Sequence, residues 1–187
     1  MAAAWAIGAG AGLAGLAGFR AFIPLAVYMF MARMGWVWGF RADGMAFMVS
    51  DAAVVILLVL VVIEIMMTRV RALVSIERVL RLPLAVAAGA LVMSATMAGE
   101  FPGAVHFIGI PVGLALALAG NYVQQGLVMI GEGRDPGPAL DITVLFLSVL
   151  MLLLPPVGYL FVLTLIYLAF RVRRLKKLKY KGLRVLA

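Results

Sequence analysis

Five long apolar stretches make up most of this sequence, and each is bounded by charged residues, glycine or proline. They cover residues 3–34, 51–68, 83–98, 104–131 and 140–170. Hydrophobic residues make up 66% of the chain and charged residues 13%, whereas soluble domains carry about 25% charged residues. A membrane-spanning helix needs about 20 apolar residues. The sequence therefore predicts an all-α fold, a polytopic transmembrane helical bundle.

The net charge of +8 lies entirely in the last seventeen residues, which contain no acidic side chain. Basic residues that follow an apolar stretch stay on the cytoplasmic side, and anionic lipid headgroups attract them. We therefore expect one transmembrane domain over residues 1–170 and a basic cytoplasmic tail over 171–187, in the cell inner membrane. The residues that we expect to bind lipid headgroups are Arg171, Arg173, Arg174, Lys176 and Lys177.

The last apolar stretch is too long for one simple crossing, and Pro155 and Pro156 interrupt it. Adjacent prolines break a helix. The linker over residues 68–82 holds four arginines and one glutamate, so it should be cytoplasmic like the tail. An even number of crossings must lie between two cytoplasmic segments, which favours about six crossings in all and a cytoplasmic N-terminus. The six predicted helices cover residues 3–34, 51–68, 83–98, 104–131, 140–154 and 156–170.

Two other arrangements also fit the sequence. A five-helix reading, with residues 83–98 as a re-entrant segment, also satisfies the charge pattern. Short sequence echoes between the two halves, such as residues 16–18 and 118–120, are compatible with a 3+3 inverted repeat of the kind found in small transporters.

Closely spaced glycines mark the first helix as a packing element. Gly8, Gly12, Gly15 and Gly18 form small-x-x-x-small spacings, which allow another helix to approach to backbone contact. The pattern G-x-G-x-x-G is also present, but no strand precedes it, so nucleotide binding is not favoured. We expect this helix to be buried in a bundle or an oligomer.

Charged residues inside the apolar stretches mark the candidate substrate site. Arg20 and Glu64 each lie about 20 Å from the outer end of their predicted helices, at 1.5 Å per residue. An arginine at this depth is costly without a partner. We expect Arg20 to bind an anionic substrate, with Glu64 as counter-ion or proton site. The alternatives are a structural salt bridge between them, or a Glu64 that is solvated near the inner surface.

A belt of amides in the fourth predicted helix is the second part of the candidate site. It contains Asn121, Gln124 and Gln125. Amides in lipid need hydrogen-bond partners, so they either line a hydrated path or bond to neighbouring helices. Asp141, which stands near the start of the next helix, is interpreted as a helix cap.

Several classes of site are disfavoured by composition. The chain has no cysteine and one histidine, so we expect neither a disulfide nor a metal centre. It contains no recognisable catalytic motif, so we expect no enzymatic activity and no cofactor. The basic tail lies beside lipid, which favours anionic headgroups over nucleic acid.

Three segments together resemble a known family. They are Ala14-Gly15-Leu16-Ala17-Gly18-Phe19-Arg20-Ala21-Phe22-Ile23-Pro24-Leu25, then Arg81-Leu82-Pro83-Leu84-Ala85, and the Asp135-Pro136 turn that leads to the basic tail. In these segments the chain resembles small bacterial membrane proteins catalogued as domain of unknown function 4126. The resemblance covers nearly the whole chain and implies no activity. A basic residue expected in the second half of that family is replaced here around Gln124 and Gln125.

Two functions are consistent with these observations. One is an oligomeric transporter or channel that moves an anionic solute or lipid headgroup past Arg20 and the amide belt. The other is an accessory subunit whose glycine-rich first helix and basic tail pack against a larger membrane complex.

Overall fold

The computed structural model describes residues 2–37, 48, 50–70, 73–101, 107–130 and 137–183. Within these ranges the chain forms seven α-helices and no strand, which confirms the predicted all-α class. The helices are α1 (Ala2–Ala17), α2 (Phe22–Arg33), α3 (Asp51–Arg69), α4 (Val74–Ala98), α5 (Gly109–Ile130), α6 (Pro138–Leu153) and α7 (Pro156–Leu183). Four of them, α3, α4, α5 and α7, are long and apolar enough to cross a membrane, whereas α1, α2 and α6 are shorter apolar helices. Six crossings and an inverted repeat are not confirmed.

The first predicted helix is two helices that form a hairpin. The chain leaves α1 after Ala17 and starts α2 at Phe22, and Tyr28 of α2 lies beside Ala9 of α1. The physical reason is Pro24, which lacks an N–H and whose ring would clash with the carbonyl four residues earlier in a continuous helix. A straight helix over residues 3–34 would also be about 48 Å long, against about 30 Å of hydrocarbon.

The hairpin turn lies level with the middle of two spanning helices. A β-carbon built on Gly18 would lie 2.5 Å from the backbone nitrogen of Asn121, the thirteenth of the 22 residues of α5. One built on Gly15 would lie 3.2 Å from Leu165, the tenth residue of the apolar segment Pro156–Leu175. The α1–α2 hairpin therefore enters the bundle from one end and turns back near its centre.

This hairpin changes the expected placement of the N-terminus. The start of α1 contacts the start of α7, where the Tyr159 hydroxyl donates to the carbonyl of Ala4 at 2.5 Å. Gly126, near the end of α5, packs against Val172 of α7. The helices therefore alternate in direction, and the N-terminal end of α1 lies at the opposite end of the bundle from the basic end of α7. The first stretch turns back instead of crossing once, so the start of α1 and the basic end of α7 do not share one end of the bundle, and the side of the membrane on which each terminus lies stays a prediction.

The other helix bounds differ from the predicted ones in two places. α4 begins at Val74 and continues through Pro83, so its apolar part, Val79–Ala98, has 20 residues and a re-entrant segment is not needed. α6 and α7 are separated at Leu154 and Pro155, and α7 continues to Leu183. Much of the basic tail is therefore a helical extension of α7.

Helix α1 is the centre of the bundle, and the chain's own helices cover its glycines. Gly8 adjoins Pro155 and Tyr159, and Gly12 adjoins Gly158. Gly15 and Gly18 lie against Gly120 on α5. Because these contacts are internal, the glycine-rich face is not the surface that a larger complex would bind.

Helix α3 lies at the edge of the bundle. Every residue of α3 is described, and among them Leu57 alone is buried. Many of its apolar side chains are exposed, where lipid or another protein would cover them: Val55, Ile56, Leu58, Val59, Val62, Ile63 and Met66.

Candidate functional site at the hairpin turn

The first turn of α2 receives its cap from a different helix. The residue before α2 is Ala21, whose side chain cannot accept a hydrogen bond. The carboxylate of Glu64, on α3, accepts the N–H of Ala21 at 2.6 Å and the N–H of Phe22 at 3.0 Å. A negative charge is favourable at a helix N-terminus, where N–H groups lack partners within the helix. The turn is therefore an anion-binding arrangement inside the bundle, and Glu64 occupies it.

Arg20 stands in the same turn, and its side chain is buried against α6. It is 1% exposed, and its Nε donates to Oδ1 of Asp141 at 2.5 Å. On the other side of that carboxylate, Nη2 of Arg69 lies 3.4 Å from Oδ2. Asp141 thus joins a buried arginine of the hairpin to a half-exposed arginine at the end of α3.

Four charged side chains therefore meet at the turn. We call Arg20, Glu64, Arg69 and Asp141 the turn cluster. It contains two positive and two negative groups, so it is formally neutral. Arg81 also attracts the Glu64 carboxylate electrostatically, as Arg20 does.

The expected neighbourhood of Arg20 and Glu64 is present, but the turn cluster is larger than expected. Glu64 interacts with backbone amides of the turn, and Arg20 has an additional partner in Asp141. Sequence reasoning interpreted Asp141 as a cap and missed this role. The sequence does contain one signal for it. Asp141 stands in the first turn of an apolar helix, and its expected depth in the membrane could have been compared with that of Arg20.

The amide belt divides between the interior and the surface of α5. Asn121 and Gln124 are 4% and 1% exposed, whereas Gln125 is on the exposed face. Among the described residues, Oδ1 of Asn121 and both amide atoms of Gln124 have no hydrogen-bond partner. A buried polar atom without a partner costs about 1–3 kcal/mol. Asn121 and Gln124, one helical turn apart, are therefore buried polar groups with unused bonding capacity beside the hairpin turn.

An apolar groove of about 350 Å³ begins next to the turn cluster and lies between α2, α3 and α6. We call it the α2–α3–α6 groove. Its lining includes Ile23, Val61 and Leu145 near the cluster and Met31 and Val54 at the far end. Val61 is three residues from Glu64, and Leu145 is four from Asp141. The groove therefore starts one helical turn from the two carboxylates.

The basic end of α7 lies beyond the hairpin turn along the bundle, because Val172 packs against Gly126 of α5, five residues after the Asn121 that adjoins Gly18. Arg171, Arg173 and Arg174 are exposed on α7, and the side chains of Lys176 and Lys177 lie outside the described residues. No group of three or more potential metal ligands occurs in the described ranges, and His106 falls outside them.

Comparison with known proteins identifies the family without an activity. No curated protein and no solved structure matches the chain. A family model described as Domain of unknown function (DUF4126) matches residues 7–175, which include the whole turn cluster and the amide belt. The match covers most of the chain, and the chain belongs to this family of unknown function.

Proposed function

We propose that this protein is a small transporter of the inner membrane that moves an anionic solute or lipid headgroup past the hairpin turn. The observation that carries the proposal is the N-terminus of α2, which holds a carboxylate of α3 beside the buried Arg20. In many transporters a broken helix presents such an N-terminus to an anionic substrate near the middle of the membrane.

In this proposal the carboxylate of Glu64 occupies the position that the anionic substrate takes when it binds. This carboxylate accepts the N–H groups of Ala21 and Phe22 when no substrate is present. An entering anion competes for the same N–H groups and for Arg20, and Glu64 then takes up a proton or turns toward Arg81. Binding of the anion is thereby coupled to the charge state or position of Glu64.

The buried amides supply the neutral part of the path. Asn121 and Gln124 face the interior of the bundle close to the turn, and they retain donors or acceptors for a hydrated anion. Gln125 contributes nothing to the path in this proposal, because it lies on the exposed face of α5.

Orientation follows from the distribution of basic residues. The hairpin turn points toward the end of the bundle at which α3 ends and α7 continues into its basic extension, and we assign that end to the cytoplasmic side. The N-terminus then lies on the opposite face, and the α1–α2 hairpin enters from outside.

The transport proposal is tested by flux into proteoliposomes that contain the full chain. Inorganic phosphate, chloride and a fluorescent anionic phospholipid serve as probes. Gln124→Leu should abolish flux, and Gln125→Leu is the matched control that should retain it. Absence of flux of every probe through the wild-type protein, or equal flux through both variants, would refute the proposal.

A second candidate function is an accessory subunit of a larger membrane complex. The peripheral position of α3, with its outward apolar side chains, favours it. Extraction in a mild detergent followed by mass analysis of the intact assembly separates the two. A homo-oligomer or monomer supports the transporter, and stoichiometric co-purification with other chains supports the subunit.

A further inference from the structure

We infer that the α2–α3–α6 groove holds one acyl chain of an anionic phospholipid whose phosphate binds Arg69. The inference rests on the proposed function, because it takes the turn cluster as an anion-binding site. It adds that the substrate is an amphiphile, with an anionic headgroup and an acyl chain.

The lining of the groove suits a hydrocarbon chain. All the residues that line it are apolar, and they come from α2, α3 and α6, with Trp36 from the segment that follows α2. On α2 the lining extends from Ile23 to Met31, which is about 12 Å along a helix. Its volume of about 350 Å³ is within the range of small-molecule sites, about 300–1,000 Å³.

The groove is open along its side. Phe30, Leu58 and Leu145 line it and are each more than half exposed. A lipid chain can therefore enter laterally from the bilayer, and the headgroup need not pass through the protein.

Charge complementarity places the headgroup at the turn-cluster end. The Arg69 side chain is 52% exposed, and one of its N–H groups reaches Asp141 at 3.4 Å. An arginine has five N–H donors in a geometry that matches a phosphate. Leu145 lies one turn beyond Asp141, so a phosphate at Arg69 is within reach of a chain in the groove.

Lipid is favoured over a second copy of the protein as the occupant. A second copy of the chain would have to bring both an apolar side chain and a carboxylate to the two ends of the groove, and acidic residues are only 8 of its 187. An anionic phospholipid supplies both an acyl chain and a phosphate, and the basic extension of α7 concentrates such lipids on the same side.

The test is native mass spectrometry of the full chain, titrated with phosphatidylglycerol or with phosphatidylcholine of the same acyl chains. The wild-type protein should retain phosphatidylglycerol preferentially. Arg69→Gln should reduce that preference about fivefold, the equivalent of about 1 kcal/mol per basic residue near an anionic headgroup. Ala26→Trp, which fills the groove, should weaken retention of both lipids at least tenfold.

Matched variants separate groove filling from damage to the fold. Ala115→Trp places the same side chain on the exposed face of α5 and should bind lipid as the wild type does. Leu58→Trp covers the groove from an exposed position and should repeat the loss if Ala26→Trp unfolds the chain. Equal retention by Ala115→Trp and Leu58→Trp would overturn the inference. So would an undiminished headgroup preference in Arg69→Gln, or a change of oligomeric mass in Ala26→Trp without loss of lipid.

Failure of the lipid-site inference can be distinguished from failure of the transport proposal. Lipid binding that depends on Ala26 and Arg69 without any flux would leave the lipid site standing and remove transport. Flux of inorganic phosphate with lipid retention unchanged in Ala26→Trp and Leu58→Trp would remove the lipid site and leave transport.

Discussion

The Nε of Arg20 donates to Oδ1 of Asp141 at 2.5 Å across 121 positions of sequence. This bond joins the turn of the first hairpin to the first turn of α6, and both side chains are buried. Burying an arginine is costly without a carboxylate, and removing Asp141 takes away the carboxylate that the Nε of Arg20 binds. The pair therefore links the fold of the first stretch of the chain to that of the last third.

Replacing Asp141 should destabilise the protein strongly. Asp141→Asn leaves the charge of Arg20 buried beside a neutral amide, and we expect a loss of about 3 kcal/mol in the free energy of unfolding. Asp51→Asn is the control, because it breaks the exposed pair with Arg33 and should cost less than about 1 kcal/mol. Denaturant unfolding in detergent measures both, and equal losses would contradict a buried role for Asp141.

Replacing Glu64 should loosen the start of α2. Glu64→Gln retains an acceptor oxygen but loses the charge at the helix N-terminus, which is worth about 1 kcal/mol. Glu64→Leu removes both acceptors and leaves the N–H groups of Ala21 and Phe22 without them, at about 1–3 kcal/mol each. Amide hydrogen exchange at these two residues should be fastest in Glu64→Leu. Glu77→Leu, which removes the partner of Arg81, should not change exchange at α2.

The hairpin turn should not tolerate a side chain at Gly18. In Gly18→Ala the β-carbon would lie 2.5 Å from the Asn121 nitrogen, so α5 must move, and we expect a loss of about 3 kcal/mol or more. Gly35→Ala is a useful comparison, because no atom lies within 4 Å of the new carbon and the cost comes from φ of +72°, about 1–2 kcal/mol. Thermal unfolding of the two variants should rank them in this order, and the reverse order would argue against the close approach of α1 and α5.

The buried amide of Gln124 should matter for transport and not for stability. Gln124→Leu replaces a polar group that has no hydrogen-bond partner among the described residues with an apolar group of similar size. Such a change is neutral or stabilising, while flux is lost. Gln125→Leu on the exposed face should leave both unchanged. A large loss of stability in Gln124→Leu would show that the amide is a structural group.

Some features of the site were predictable from sequence and others were not. Arg20 and Glu64 were identifiable because a charge inside an apolar stretch is rare and expensive. The hairpin was not predicted, although Pro24 stands six residues after Gly18. An apolar stretch of about 32 residues was interpreted as one helix, without comparing the length of that helix with the thickness of the membrane. The division of the amide belt was not available from helical spacing, because Gln124 and Gln125 stand at i+3 and i+4 from Asn121 and both spacings share its face. The packing of α5 decides that Gln124 is buried and Gln125 is exposed.

By itself, the sequence determined that the chain is an all-helical membrane protein with a basic extension at its C-terminal end, since these follow from hydropathy and charge counted along the chain. It also determined the family. Only the tertiary structure decided that the first stretch turns back at Gly18, that Asp141 neutralises Arg20, that Glu64 caps α2, and that α3 leaves a groove beside them. Each of these is a contact between residues far apart in sequence, and such contacts depend on how the helices pack, which local pattern does not encode.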